Sequence, residues 1–92
     1  MKRVVNIEVT AEDIAAGVRE DCFACPIASA LLRATGAKRA FVDGGAVAVG
    51  DWEGFFPPSR MEVPITKEVS SFVHTFDVGD SVEPFSFDLE LP

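Results

Sequence analysis

Residues 40–49 read AFVDGGAVAV, and this stretch decides the fold class. Two apolar runs, 40–42 and 46–49, flank Asp43-Gly44-Gly45, which is a sequence typical of a tight β-hairpin turn. Glycine favours such turns because it readily adopts the positive φ angles that they commonly require. The stretch therefore predicts two neighbouring antiparallel strands.

A helix is predicted on each side of this hairpin. Before it, Cys25-Pro26 begins a helix, because proline is favoured at the first helical position, and Gly36 ends it. After it, Thr66 begins a helix that Gly79 ends. Both carry an apolar stripe at i, i+3, i+4 and i+7 spacing, which predicts packing on a sheet. The stripes are Ile27, Ala30, Leu31 and Ala34 in the first helix, and Val69, Phe72, Val73 and Phe76 in the second.

Alternating strands are predicted near both ends of the chain. Apolar residues alternate with polar ones in residues 5–9 and again in residues 85–91. We expect them to share one buried face; they are Val5, Ile7, Val9, Phe85, Phe87, Leu89 and Leu91. A short helix capped by Thr10 and ended by Gly17 follows the first strand, and a further short strand is expected near residues 61–63.

The resulting order, β-α-α-β-β-(β)-α-β, predicts a two-layer α+β fold. Its sheet is mixed or antiparallel with four or five strands, and three helices cover it. The 92 residues fall below the usual domain size of roughly 100–150, so we expect one compact domain over residues 1–92. A core this small is marginally stable, and association into a homodimer is one way to stabilise it.

The charge balance bears on the partners of the chain. Fifteen acidic and eight basic residues give a net charge of −7. This charge disfavours direct binding to nucleic acid or to anionic membranes and favours a protein partner with a basic surface. No run approaches the roughly 18 apolar residues of a membrane span, and two cysteines are too few for a secreted disulfide framework. We therefore expect a cytoplasmic protein.

Cys22-Phe23-Ala24-Cys25-Pro26 is the motif most suggestive of chemistry. Cys25 lies at a helix N-terminus, whose amide groups favour the thiolate needed for redox exchange or metal binding. In thioredoxin-like proteins, however, the first cysteine begins the helix, whereas here the second does. Zinc normally has four ligands, and Cys22, Cys25 and the single histidine, His74, supply three. We expect packed cysteines and no cofactor; a small metal-binding or thiol redox module is the alternative.

Other catalytic machinery is not indicated. His74 has no neighbouring serine or cysteine motif that would give it a role as a base. Gly44-Gly45 is explained by a hairpin turn rather than by a phosphate-binding loop. Many carboxylates are expected to be solvated at helix caps or on outward strand positions, namely Glu12, Asp13, Glu20, Asp21, Asp88 and Glu90. We therefore predict that the chain is not an enzyme.

Residues 51–58, DWEGFFPP, place three large rings among acids, glycine and prolines. This mixture is typical of loops that present rigid anchors to a partner. The alternative is that the rings fold back as a lid on the small core. The predicted partner-binding residues are Asp51, Trp52, Glu53, Phe55, Phe56 and Glu62.

Two stretches, VTAEDIAAG at 9–17 and DCFACPIASAL at 21–31, resemble small uncharacterised proteins of bacteriophages and bacteria. Residues 76–79 and 84–87 are similar to the C-terminal part of those proteins. The resemblance brings no activity or site residues with it. It implies a setting in which small acidic proteins inhibit host machinery, as anti-CRISPR proteins do. The resulting hypothesis is a phage-type inhibitor that covers a basic nucleic-acid-binding surface of a host complex.

Overall fold

The computed structural model describes residues 3–91 and confirms the predicted α+β class and element order. The strands are β1 (Arg3–Val9), β2 (Arg39–Val42), β3 (Ala46–Gly50), β4 (Val63–Pro64) and β5 (Phe85–Leu91). The helices are α1 (Ala11–Ala16), α2 (Pro26–Thr35) and α3 (Lys67–Asp77), and Ser59–Met61 forms a single 3₁₀ turn. Within residues 3–91 no helix combines the length and the apolar character needed to cross a membrane.

The five strands form two antiparallel sheets. One contains β1 and β5, and the other has the order β2-β3-β4. In the first sheet Ile7 lies opposite Phe87 and Val5 lies opposite Leu89. The predicted shared face of the terminal strands is therefore confirmed, since Ile7 and Leu89 are both buried in the main core.

Helix α2 connects the two sheets through its apolar stripe. Ile27 and Leu31 are fully buried, and the helix contacts β1 on one side and β2 on the other. Proline at its first turn and Gly36 in the left-handed conformation, with φ 69°, fix its ends as predicted. One helix thus supplies the central part of the core for both sheets.

The hairpin between β2 and β3 is confirmed, but its turn forms for a different reason. Gly44 and Gly45 do not have positive φ angles. Instead, the Asp43 carboxylate accepts hydrogen bonds from the amides of Gly45 and Ala46, each at 2.8 Å. An aspartate side chain can close a turn in this way because it imitates a backbone acceptor.

Asp13 is the one charged residue that the fold buries within residues 3–91. Its carboxylate accepts two hydrogen bonds from the Arg33 guanidinium, at 2.7 and 2.8 Å, and one from the Thr10 amide. Arg33 also donates to the carbonyl of Glu8. The prediction that Asp13 is solvated was wrong, because a residue twenty positions away on α2 turns toward it. The pair fastens α1 to α2 and to the end of β1.

Candidate functional site

The loop between β3 and β4 presents two exposed aromatic rings. Phe55 and Phe56 are 65% and 67% exposed, and their ring centroids lie 4.8 Å apart in an edge-to-face arrangement. Behind them, Phe23 lies 5.0 Å from Phe55, and Phe41 lies 5.8 Å from Phe56. Edge-to-face contacts of this kind are favourable between aromatic rings. We call these four residues, Phe23, Phe41, Phe55 and Phe56, the aromatic patch.

Trp52 forms the buried base of this loop. It is only 9% exposed and packs with Phe41 and Ala48 in a small second core. Phe41 and Ala48 are opposite one another on β2 and β3, so this core lies on the face of the hairpin that the main core does not cover. The indole Nε1 is buried without a hydrogen-bond partner among the described residues. Trp52 is therefore a lid on the hairpin.

Arg39 fixes the loop to β2. Its Nη1 donates hydrogen bonds to the carbonyl oxygens of Trp52 and Gly54, both at 2.8 Å. Its guanidinium carbon also lies 4.6 Å from the Trp52 ring centroid, which is within cation–π distance. Gly54 has a φ of 87°, a conformation that favours glycine, and it reverses the chain just before Phe55. The two exposed rings are thus held in place by a strand residue.

Acidic side chains are exposed in the loop that carries the two rings and, separately, in the segment between the 3₁₀ turn and β4. Asp51 and Glu53 are exposed in the same loop, and Glu62 is exposed just after the 3₁₀ turn. The Asp51 carboxylate lies 3.8 Å from the ammonium group of Lys38, but both side chains are largely in water. Such an exposed pair contributes little to stability, and Asp51 stays available to a partner. The result is an apolar surface beside accessible negative charge.

A separate cavity of about 670 Å³ brings the two cysteines and the histidine to one place. Cys22, Cys25 and His74 line it together with Asp43 and Asp77. Within residues 3–91, however, no three cysteine, histidine or carboxylate side chains are grouped closely enough to hold a metal ion. The predicted ligands therefore share a cavity without forming a coordination site.

The thiols of this cavity are not activated. Burial raises the pKa of Cys25 to about 11, although the amides of Ala28 and Ile27 act in the opposite direction. Burial, and then the carboxylate of Asp43, also raise the pKa of Cys22. The expectation that the helix N-terminus favours a thiolate was wrong, because loss of water outweighs the amide groups. The raised pKa of both thiols disfavours the thiolate, which is the reactive form in thiol exchange.

The residues predicted for partner binding divide into two groups. Phe55, Phe56, Asp51, Glu53 and Glu62 are accessible, whereas Trp52 is buried. The sequence analysis did not predict that Phe23, Phe41 and Arg39 belong to this site. Their side chains reach the loop only through the register of the hairpin and the path of residues 21–25. Comparisons with protein-family models, curated proteins and solved structures find no match to this chain.

Proposed function

We propose that this protein acts by binding a partner protein through the aromatic patch. The observation that carries the proposal is the pair of adjacent, mostly exposed phenylalanines on a fixed support. Full burial of one such side chain is worth about 1.5–3 kcal/mol, so leaving two thirds of each ring in water forgoes about 1–2 kcal/mol per ring. A partner that covers Phe55 and Phe56 would recover that energy without reordering the loop, which Arg39 already holds.

The proposed partner presents an apolar pocket next to basic side chains. Rings such as Phe55 and Phe56 bind best where they are fully removed from water, and the acids beside them would face positive charge. The net charge of −7 would also speed the encounter with a basic surface. A partner of this kind complements both features of the loop.

We further propose that the partner is a nucleic-acid-handling complex and that binding inhibits it. Surfaces that hold nucleic acid are basic because they neutralise phosphates. An acidic protein seated on such a surface would exclude nucleic acid by occupying the site. The chain would need no catalytic step for this, and the phage-type setting implied by the resemblance is consistent with inhibition by occupancy.

The first experiment identifies the partner by capture from a bacterial lysate and then measures binding kinetics with purified components. The variant Phe55→Ser/Phe56→Ser should weaken binding about 30-fold or more, since loss of central aromatic anchors commonly costs at least 2 kcal/mol. The matched control is Val4→Ser/Val78→Ser, which removes two other exposed apolar side chains, 63% and 59% exposed. Equal affinity of the phenylalanine variant and the parent would refute the proposal.

The second experiment tests the electrostatic part. Asp51→Lys/Glu53→Lys should lower the association rate constant, and raising the salt concentration should lower that of the parent, because exposed charges are screened beyond about 8–10 Å. The control Asp80→Lys/Glu83→Lys changes the net charge equally at exposed positions outside the loop. Nucleic acid added in excess should compete with the parent for the partner. If neither salt nor the loop substitutions slow association, the partner surface is not basic.

A further inference from the structure

A groove of about 440 Å³ separates the two sheets on the side opposite to the β1–β5 pairing. One wall is β5, and the other is the segment that contains β4 and the start of α3. The lining residues are Arg60, Glu62, Val63, Pro64, Ile65, Thr66, Val69, Phe87, Asp88, Leu89, Glu90 and Leu91.

The pattern of lining residues shows that the edge of β5 forms one wall, whereas on the other wall only Val63 and Pro64 belong to a strand, β4. Residues 87–91 all line the groove, and so do residues 62–66. Successive side chains of a strand point to opposite faces, so a cavity on one face of a sheet would be lined by alternate residues only. Consecutive residues meet a cavity when it runs along the backbone edge. Within residues 3–91, β5 pairs with β1 alone and β4 with β3 alone, which leaves the facing edges open.

We propose that the groove binds an extended segment of a protein partner, which adds as a strand between β5 and β4. The segment would join the two sheets through backbone hydrogen bonds, the recognition mode known as β-strand addition. This surface is distinct from the aromatic patch, and the proposal does not depend on the function assigned to that patch.

The backbone on the β4 side offers acceptors to such a strand. The Ile65 amide donates to the carbonyl of Gly45 at 3.2 Å, so Ile65 faces β3. Backbone groups of successive strand residues point to opposite edges, so the carbonyl of the preceding residue, Pro64, points toward the groove. Pro64 has no N–H group to donate. The amide of Glu62 is already bonded to the carbonyl of Ser59. The incoming strand would therefore donate hydrogen bonds on this side, while β5 can both donate and accept.

The side chains of the groove define the chemistry of the occupant. Val69, Leu89 and Leu91 are buried apolar residues at its base. Glu62, Asp88 and the basic Arg60 are exposed at its rim, and the described partner of Asp88 is the uncharged amide of Asn6. In a strand that alternates apolar and basic residues, the apolar side chains would pack on the base of the groove and the basic side chains would lie beside these carboxylates. The occupant is thus an extended, basic, amphipathic segment.

The dimensions are suited to a short strand. One residue in a sheet occupies about 160 Å³, from spacings of about 4.8 Å between strands, 10 Å between layers and 3.3 Å along the chain. The cavity of about 440 Å³ therefore has room for about three residues of the incoming strand between its two walls. The five residues of the β5 wall extend about 17 Å, so a partner segment of about five to seven residues is expected.

A second copy of this chain fits the groove less well. Pairing of β5 with β5 of another copy would bring the acidic side chains of the two strands together, and each copy carries a net charge of −7. Like charges in facing positions destabilise a strand pair. Charge complementarity therefore favours a basic segment from a different protein.

The test uses the full chain and the acetylated, amidated peptide KVKVKVK as probe, followed by amide-resolved NMR. Saturating peptide should slow the hydrogen exchange of alternate amides in residues 87–91 at least tenfold. Two control peptides should bind at least tenfold more weakly: KKVVVKK, which has the same composition without alternation, and KVKVKVK methylated on alternate backbone nitrogens. The methylated peptide keeps its charge and its side chains but cannot form the ladder on one edge.

Matched substitutions locate the binding site. Glu62→Lys/Asp88→Lys should raise the dissociation constant at least tenfold, whereas Asp80→Lys/Glu83→Lys, with equal change in net charge, should leave it within about twofold. Phe55→Ser/Phe56→Ser should also leave it unchanged, which separates this result from the test of the aromatic patch. Equal binding of all three peptides would overturn the proposal, because it indicates adsorption by charge alone. Protection of the β5 amides without peptide, together with dimerisation in sedimentation, would assign the groove to a second copy instead.

Discussion

The substitution Asp13→Asn tests whether the buried ion pair with Arg33 stabilises the fold. The carboxylate is 5% exposed and accepts three hydrogen bonds, two from Arg33 and one from the Thr10 amide. The hydrogen bonds from Arg33 outweigh the effect of burial and lower the pKa of Asp13 from 3.8 to about 2. Asparagine keeps the shape of the side chain but removes the charge and one acceptor oxygen.

The size and the pH dependence of the effect follow from that pKa. A difference from 3.8 to about 2, at roughly 1.4 kcal/mol per pH unit, corresponds to about 2.5 kcal/mol of stability. Because the pKa is lower in the folded protein than in the unfolded chain, this contribution is complete above about pH 5. It is lost progressively as the pH falls from about 5 through about 2 and the folded carboxylate takes up a proton.

The measurement is urea unfolding of the parent and the variant, repeated at several pH values between 7 and 2. Asp13→Asn should be about 2.5 kcal/mol less stable than the parent at pH 7, and the two curves should converge toward pH 2. Comparing the variant with the parent at each pH removes the effect of the other carboxylates, which both proteins share. The control Glu12→Gln removes an exposed charge from the same helical turn and should cost only about 0.3–1 kcal/mol.

Two results would contradict this account. If Asp13→Asn has parental stability at pH 7, the ion pair contributes nothing beyond what its burial costs. If the variant is less stable by the same amount at pH 7 and pH 2, the loss comes from packing or from the helix cap rather than from the charge. Adding Arg33→Met to Asp13→Asn distinguishes these cases, because the second substitution should cost little once the carboxylate is gone.

Three further predictions concern the core, the thiols and the loop. Leu89→Ala, at a buried position of β5, should lower the free energy of unfolding by about 2–5 kcal/mol in urea denaturation. At pH 7 a disulfide reagent should modify Cys22 faster than the more buried Cys25, as followed by fragmentation of the tryptic peptide 20–33 in tandem mass spectrometry, which assigns the label to one cysteine or the other. Arg39→Met should release the loop and shift Trp52 fluorescence to longer wavelength in protein whose circular dichroism is unchanged.

The elements that the sequence predicted well depend on local signals. The alternation in residues 85–91 and in residues 5–9 decides which side chains face the core, whatever the strands pair with. The hydroxyl oxygens of Thr10 and Thr66 cap their helices by accepting hydrogen bonds from backbone amides in the first turn. These interactions span three residues or fewer, so the residue types alone are sufficient to predict them.

The features that the sequence did not predict depend on distant partners. Nothing near Asp13 indicates that Arg33 will reach it, and the open groove between β4 and β5 exists only once both sheets are placed around α2. The cysteines illustrate competing effects at one position. Local sequence places Cys25 at a helix N-terminus, whereas its burial depends on the whole core and has the larger effect on its pKa.

The aromatic loop shows how the structure resolves two readings that the sequence left open. One ring serves as a lid: Trp52 covers the outer face of the hairpin, where Phe41 and Ala48 would otherwise meet water. The other two, Phe55 and Phe56, remain exposed, and hydrogen bonds from Arg39 hold the backbone just before them at Trp52 and Gly54. Trp52→Ala would therefore damage the core, at about 3–5 kcal/mol, and report on folding. Substitutions at the exposed Phe55 and Phe56 are better suited to testing the proposed binding.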